Sequence, residues 1–292
     1  MIRLRHLGII AVALALGLAV TTSACSTPKA PTASTSGAAD PASPATGCDD
    51  LPLARASDET ASGPVAVVVI HPTTTRADLQ PAIDAVVADA VDRSARLSVI
   101  VASSTTTESV QTCFAGTAIV GRGNNAETKR RAAAVLKDRM PATVLAEADR
   151  ATAQIEKASG DPSLDDPVAD VAVGVTEARR VAGTDKATLT VLSPGVPLAG
   201  CGRVEAKPGT VLELNAKVIE QIRTACEPRL PDVAGLTIRW AGYGRGSNHL
   251  TSSASSALRD LLTQMLTDAG ATSVSISDAV VPDLKTTHGG DS

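Results

Sequence analysis

The sequence predicts an α/β fold: an open, doubly wound, mostly parallel sheet of about six strands, with helices on both faces and one antiparallel edge strand. Three observations predict it. Continuous β-branched runs such as Pro64–Ile70 have the pattern of strands buried on both faces. Stretches with apolar residues every three or four positions lie between these runs, as βαβ units require. About six strands can be counted, where a closed barrel needs eight βα repeats.

The elements follow in order. After the first strand, Leu79, Ile83, Val86, Val87 and Ala90 make an amphipathic helix. Leu97–Ala102 is a second buried strand, and 105–108 reads as an exposed loop. Phe114–Val120 is the expected antiparallel edge strand, because only a short connection leads into it. Residues 124–159 are helical, and Pro141 is expected to divide them into two helices at Met140. Asp165 and Asp166 can cap a further helix running to about Arg180, with Pro167 in its first turn. Ala187–Leu192 is a strand, and Leu214, Val218, Ile219 and Ile222 mark a helical stripe within 211–226. Leu236–Trp240 is a strand, Leu258, Leu261, Leu262, Met265 and Leu266 form one helix face, and Gly270 ends that helix. Thr272–Ile276 is a last short strand, and the polar tail from Asp278 is expected to fray.

Composition narrows the function. The 292 residues carry a net charge of −4, which offers no electrostatic footprint for nucleic acid. One Phe, one Trp and one Tyr cannot build a stacking platform for single strands. Hydrophobic residues reach 43%, enough for a core built from Val, Leu, Ile and Ala.

The amino terminus reads as an address. Arg3, Arg5 and His6 precede an uncharged apolar run, Leu7–Val20. That run is shorter than the ~20 residues of a membrane-spanning helix. Ser23 and Ala24 before Cys25 resemble a bacterial lipobox, with Thr22 in place of the usual Leu. The resemblance implies cleavage of residues 1–24, a palmitate-bearing lipid on the Cys25 thiol, and a place on the extracytoplasmic face of the cell membrane. Loss of Arg3 and Arg5 leaves a still more acidic chain, so lipid rather than surface charge would supply the attachment. Residues 25–47 are Ser, Thr, Pro and Ala-rich and read as a disordered tether. The expected organisation is completed by one α/β domain over 48–280 and a polar tail over 281–292.

With Cys25 set aside for lipid, Cys48, Cys113, Cys201 and Cys226 remain, an even number for an oxidising compartment. Cys201–Cys226 is the favoured pair because the two are close in sequence, with Cys48–Cys113 by elimination. Four buried free thiols are the alternative. The spacing lacks C-x-x-C, so metal binding ranks below both.

Ligands of such sheets bind beyond the carboxyl ends of the strands, here the loops after residues 70, 102, 193 and 242. The first is His71-Pro72-Thr73-Thr74-Thr75. With Leu164-Asp165-Asp166, Leu192-Ser193-Pro194-Gly195 and the strand ending in Gly242-Tyr243-Gly244, the layout over 64–277 resembles a von Willebrand factor A-type domain. That family opens on an Asp-x-Ser-x-Ser loop that binds a divalent cation at a metal-ion-dependent adhesion site. His71, Thr73 and Thr75 fall on those three positions, Asp165 stands where the family has Thr, and Pro194 replaces a later Asp. The resemblance thus implies a degenerate site. One carboxylate, two hydroxyls and an imidazole suit Mg²⁺ poorly, so no cofactor is expected.

Gly242-Tyr-Gly-Arg-Gly246 is Gly-rich but is not G-x-G-x-x-G, and it follows a late strand, which argues against a nucleotide. Arg245 with the Ser247 and Thr251 hydroxyls could meet an anionic group, while the Ser/Thr run 251–256 reads as helix capping. No G-x-S-x-G elbow is present. The leading expectation is therefore a lipid-tethered, non-catalytic binding module whose partner is a protein or other envelope component. The alternatives are an envelope enzyme using His71, Asp165, Asp166 and His249, and a two-lobed solute binder.

Overall fold

The computed structural model describes residues 51, 53–54, 64–103, 107–110, 119–159, 166–183, 186–196, 200–201, 203, 211, 214–245 and 250–284. The signal segment 1–24, Cys25, the tether 25–47, Cys48, Cys113, Asp165, Ser247, His249 and the tail beyond 284 lie outside the described residues. Among the described residues, no helix is long and apolar enough to cross a membrane.

The chain forms β1 (Leu53–Ala54), β2 (Val65–Ile70), α1 (Arg76–Asp92), β3 (Arg96–Ala102), β4 (Thr107–Val110) and β5 (Val120–Gly121). It continues through α2 (Ala126–Ser159), α3 (Pro167–Ala182), β6 (Ala187–Leu192) and α4 (Ala216–Cys226). It closes with β7 (Thr237–Ala241), α5 (Ser252–Asp268) and β8 (Ser273–Ile276). The main sheet has six strands in the order β4-β3-β2-β6-β7-β8. Every neighbouring pair is parallel except β3–β4. The expected doubly wound α/β architecture is therefore present.

Three expectations need correction. The antiparallel edge strand is Thr107–Val110, paired from Val99↔Val110 to Ala102↔Thr107, not Phe114–Val120. The run that follows β3 along the chain pairs back on it and covers the open edge, so 107–108 of the expected loop are strand, while 105–106 lie outside the described residues. Of the expected strand, Phe114 lies outside the described residues, and Val120–Gly121 pairs instead with β1. Second, Pro141 does not split the long helix: α2 runs unbroken for 34 residues with Pro141 inside. Leu136, Met140, Val144, Ala148, Ala151 and Ile155 form one buried stripe that passes straight through the proline. Burial on both sides outweighs the ~3 kcal/mol that a mid-helix proline costs. Third, the chain stays attached beyond Asp278. Gly242 N–H donates to Ala279 O (2.9 Å), and Leu284 packs against the core. The stripe over 211–226 is a helix only from Ala216, where Asn215 caps it, and Val211 is exposed.

The cores lie on opposite faces of the sheet. On one, α1 and α2 cover Ala66, Val68 and Ile70 of β2 and Leu97, Val99 and Val101 of β3. On the other, α3, α4 and α5 cover Val67, Val69, Leu189, Val191, Ile238 and Trp240. The expected face of α5, Leu258, Leu261, Leu262, Met265 and Leu266, is buried there. Cys201 and Cys226 form a disulfide with Cα atoms 5.0 Å apart, as the favoured pairing had it.

Candidate functional site

β2 sends its chain toward β3 and β6 sends its chain toward β7, so the strand order reverses between β2 and β6. The carboxyl ends at this point are where doubly wound sheets bind ligands. The register pairs Ile70 with Leu192, which brings the loops after β2 and β6 side by side.

The loop after β2 is a turn held from within. Thr74 N–H donates to His71 O (3.0 Å), and His71 N–H and the Thr74 hydroxyl both donate to Leu192 O at 2.9 Å. His71 is fully buried, with Nδ1 2.7 Å from the Thr73 hydroxyl oxygen. Thr75 is the N-cap of α1: its Oγ1 accepts from Asp78 N–H (3.3 Å) and donates to the Asp78 carboxylate (3.0 Å). The three residues aligned with a cation-binding loop are thus engaged in the turn and the cap. Among the described residues, no group of three or more His, Cys, Asp or Glu could hold a metal ion. His71, Thr73 and Thr75 bring no carboxylate and by themselves suit a hard divalent cation poorly.

Asp166 is the N-cap of α3 and accepts from Val168 and Ala169 N–H at 3.2 Å. Burial raises its carboxyl above the usual 3.8, against the pull of those two N–H groups and of Arg229. A Cβ at Gly200, where φ is +67°, would collide with that carboxylate, so glycine lets the segment before Cys201 reach the start of α3. Asp166 is therefore part of the framework. Asp165 and His249, the other members of the expected enzyme set, lie outside the described residues.

The loops after β6 and β7 lock together. Gly244 N–H donates to Pro194 O (2.6 Å), and Trp240 Nε1 donates to Ser193 O (2.8 Å). Tyr243 stands edge-on to Trp240 with ring centroids 6.1 Å apart. Gly195, at φ +69°, lies where a Cβ would fall 2.4 Å from the Tyr243 ring. An apolar cavity of about 20 Å³ beneath, lined by Gly195, Tyr243 and Leu262, holds no more than a water-sized group.

Beside this joint lies an open polar cleft of about 340 Å³, between the 243–245 loop and the first two turns of α5. Arg245 and Arg259 line it, with Ser252, Ser255 and Ser256 and the Asp278 carboxylate. Arg245 also reaches Asp78 at 2.9 Å, tying the β7 loop to the start of α1. The sequence reading singled out Arg245 but missed Arg259 and Asp278. A signal for Arg259 was present: Ser252, Ser255, Ser256 and Arg259 recur at i, i+3, i+4 and i+7, a polar stripe on the helix whose other face is leucine. Asp278 carried none, because its place depends on the chain turning back after β8.

Neither a scan of protein-family models nor a search of curated proteins finds a match to this chain.

Proposed function

We propose that this chain is an exported lipoprotein, tethered through Cys25, whose von Willebrand A-like α/β domain is a non-catalytic binding module. Its partner, a protein or other envelope component, meets the edge formed by the loops after β2, β6 and β7. One observation carries the reading. On that edge, the His71 ring is buried against the Thr73 hydroxyl in the turn, and the exposed Thr75 hydroxyl is engaged in the cap of α1. What faces solvent beside them is a cleft of cationic and hydroxyl donors. Among the described residues, the cleft lining carries two arginines, serine and threonine hydroxyls and the carboxyl group of Asp278, a set of donors suited to holding an anionic group. The strand order and the single antiparallel edge strand support the architecture.

Site-specific photocrosslinking on the full chain in its native envelope tests this. A crosslinker replacing Arg245 should capture a partner, whereas one replacing Lys186, exposed just before β6 at the opposite edge, should not. Equal capture from both edges rejects the reading. The address is tested separately: Cys25→Ala should move the protein from the membrane fraction to the soluble fraction.

A further inference from the structure

We infer that the cleft between the 243–245 loop and α5 binds a phosphate ester of a small hydroxylated group, such as a glycerol phosphate. This rests on the binding-module reading and gives its site a ligand chemistry.

The argument begins with the two guanidinium groups. Arg245 comes from the loop after β7, and Arg259 comes from the second turn of α5, so they approach the same space from different elements. Both are open to solvent, with side chains 46% and 39% exposed. Among the described residues, each has one ion-pair partner: Asp78 at 2.9 Å from Arg245, and Asp260 at 3.8 Å from Arg259. Asp78 takes one Nη of Arg245, and among the described residues no other side chain hydrogen-bonds that fork. Two forks converging on one space match the several oxygens of a phosphate better than the two oxygens of a carboxylate, which one fork satisfies.

The hydroxyls add donors in the same place. Ser252, Ser255 and Ser256 share one helix face with Arg259. The end of α5 is already capped, since Thr251 accepts from Ala254 N–H (3.1 Å) and Ser255 N–H bonds Thr251 O (2.9 Å). The site therefore consists of the arginines, the hydroxyls and the cavity, and does not depend on the helix terminus. Gly244 keeps the wall close. At φ +76°, a Cβ there would lie 2.8 Å from the Ser255 hydroxyl oxygen.

Size and the one lining carboxylate specify the carrier. A volume of about 340 Å³ is at the low end for small-molecule sites and exceeds what a bare phosphate fills. Asp278 would repel phosphate but accepts hydrogen bonds from hydroxyls, so it suits the polyol end of a phosphate ester. The same chemistry occurs in a soluble sugar or glycerol phosphate and in the headgroup of phosphatidylglycerol.

The test uses the full chain. Isothermal titration with inorganic phosphate and with glycerol phosphate should show both binding, the ester at least tenfold more tightly. Arg259→Gln should weaken both at least tenfold, and Asp278→Asn should narrow the gap between them. Arg245→Gln should also weaken both. If its loss of the Asp78 tie unfolds the protein in a thermal melt, Arg259→Gln decides alone. Vesicle cosedimentation separates the sources. Excess binding to phosphatidylglycerol over phosphatidylcholine vesicles that disappears in Arg259→Gln assigns a headgroup. Ester binding without that excess assigns a soluble ligand. No titration at millimolar phosphate ester, or titration unchanged in Arg259→Gln, overturns the inference. Crosslinked capture at Arg245 together with such a failure would leave the binding-module reading standing with a different ligand.

Discussion

Rows read across the sheet on the α1–α2 face change character halfway. One row runs Leu97, Ala66, Thr188, Thr237, Ser273, and the next runs Val99, Val68, Thr190, Arg239, Ser275. In these two rows the β3–β2 half is apolar and lies under two helices, whereas the β6–β8 half is polar; one row on, Leu192 and Ala241 rejoin the apolar core. Arg239 in that half is only 5% exposed. Its Nη2 lies 3.5 Å from Leu284 O, and Asp89, Arg93 and Asp283 act on its charge. Burial lowers the Arg239 pKa, Arg93 adds to this, and the two carboxylates oppose it. The two halves therefore hold together differently. On this face one is stabilised by non-directional burial and the other by a charge cluster and a returning strap of chain; on the reverse face the second half packs on the apolar core under α3, α4 and α5, where the disulfide lies. The candidate cleft belongs to the second half, where loops can vary without disturbing the main core.

The comparison can be broken most forcefully in the apolar half. Leu97→Ala should cost roughly 2–5 kcal/mol, because a fully buried leucine leaves a cavity between the sheet and its helices. A midpoint shift in urea at constant m-value measures it, and a loss below ~1 kcal/mol would mean that this half is no more rigid than the other.

Reducing Cys201–Cys226 comes next. The bridge closes a separation of 25 residues, for which chain entropy gives about 3 kcal/mol. α4 buries only Ile222 and Cys226, so packing does little to replace the bridge. Hydrogen exchange should rise in α4 while the amides of β2 and β3 stay protected. Uniform loss of protection would show that the two halves unfold as one unit.

Arg239→Met puts an apolar side chain into the polar row and leaves Asp89 and Asp283 without this cation. We expect a loss of about 2 kcal/mol. The amides of Gly242 and Tyr243, which donate to Ala279 and Ser277, should exchange faster. An unchanged exchange rate would show that the strap is held by the backbone alone.

The smallest effect belongs to the polar spot on the opposite face. There Arg96 donates to Val181 O (2.8 Å), and the Ser98 hydroxyl donates to Glu177 of α3. Burial alone would raise the Glu177 carboxyl, but hydrogen bonds from Arg180 and Ser98 and the Arg180 charge bring it below the usual 4.5. A lowered folded value means that this stabilisation is full above pH 4.5 and is lost as pH falls through the folded pKa. Glu177→Gln should cost about 1 kcal/mol at pH 7 and flatten the stability profile below pH 4.5. A parallel shift at all pH values would rule out the charge as the cause.

Much of the fold could be read before any coordinates because it is written in short-range pattern. Val65–Ile70 and Ala187–Leu192 are continuous apolar or β-branched runs that only a buried strand uses. Asp166-Pro167 is a helix start whose cap and first turn are both local chemistry. Position in the chain alone brought the His71, Ser193 and Gly242 loops to one edge, because all three follow parallel strands. What the sequence could not decide was competition between local preference and distant packing. Pro141 is a helix breaker by its own chemistry, and only the stripe from Leu136 to Ile155 pressed on the core keeps α2 whole. The antiparallel edge went to Thr107–Val110 because pairing with β3 completes a ladder that no local propensity foresees. His71 and Thr75 looked available for a ligand as residue types, yet the fold turns them to the turn and the cap. Arg245, Arg259 and Asp278 come from three segments and share a cleft only because β8 and the strap close over β7. Periodicity and capping act over a few residues and are legible in one sequence, whereas convergence of side chains from separate segments depends on packing and appears only in the folded chain.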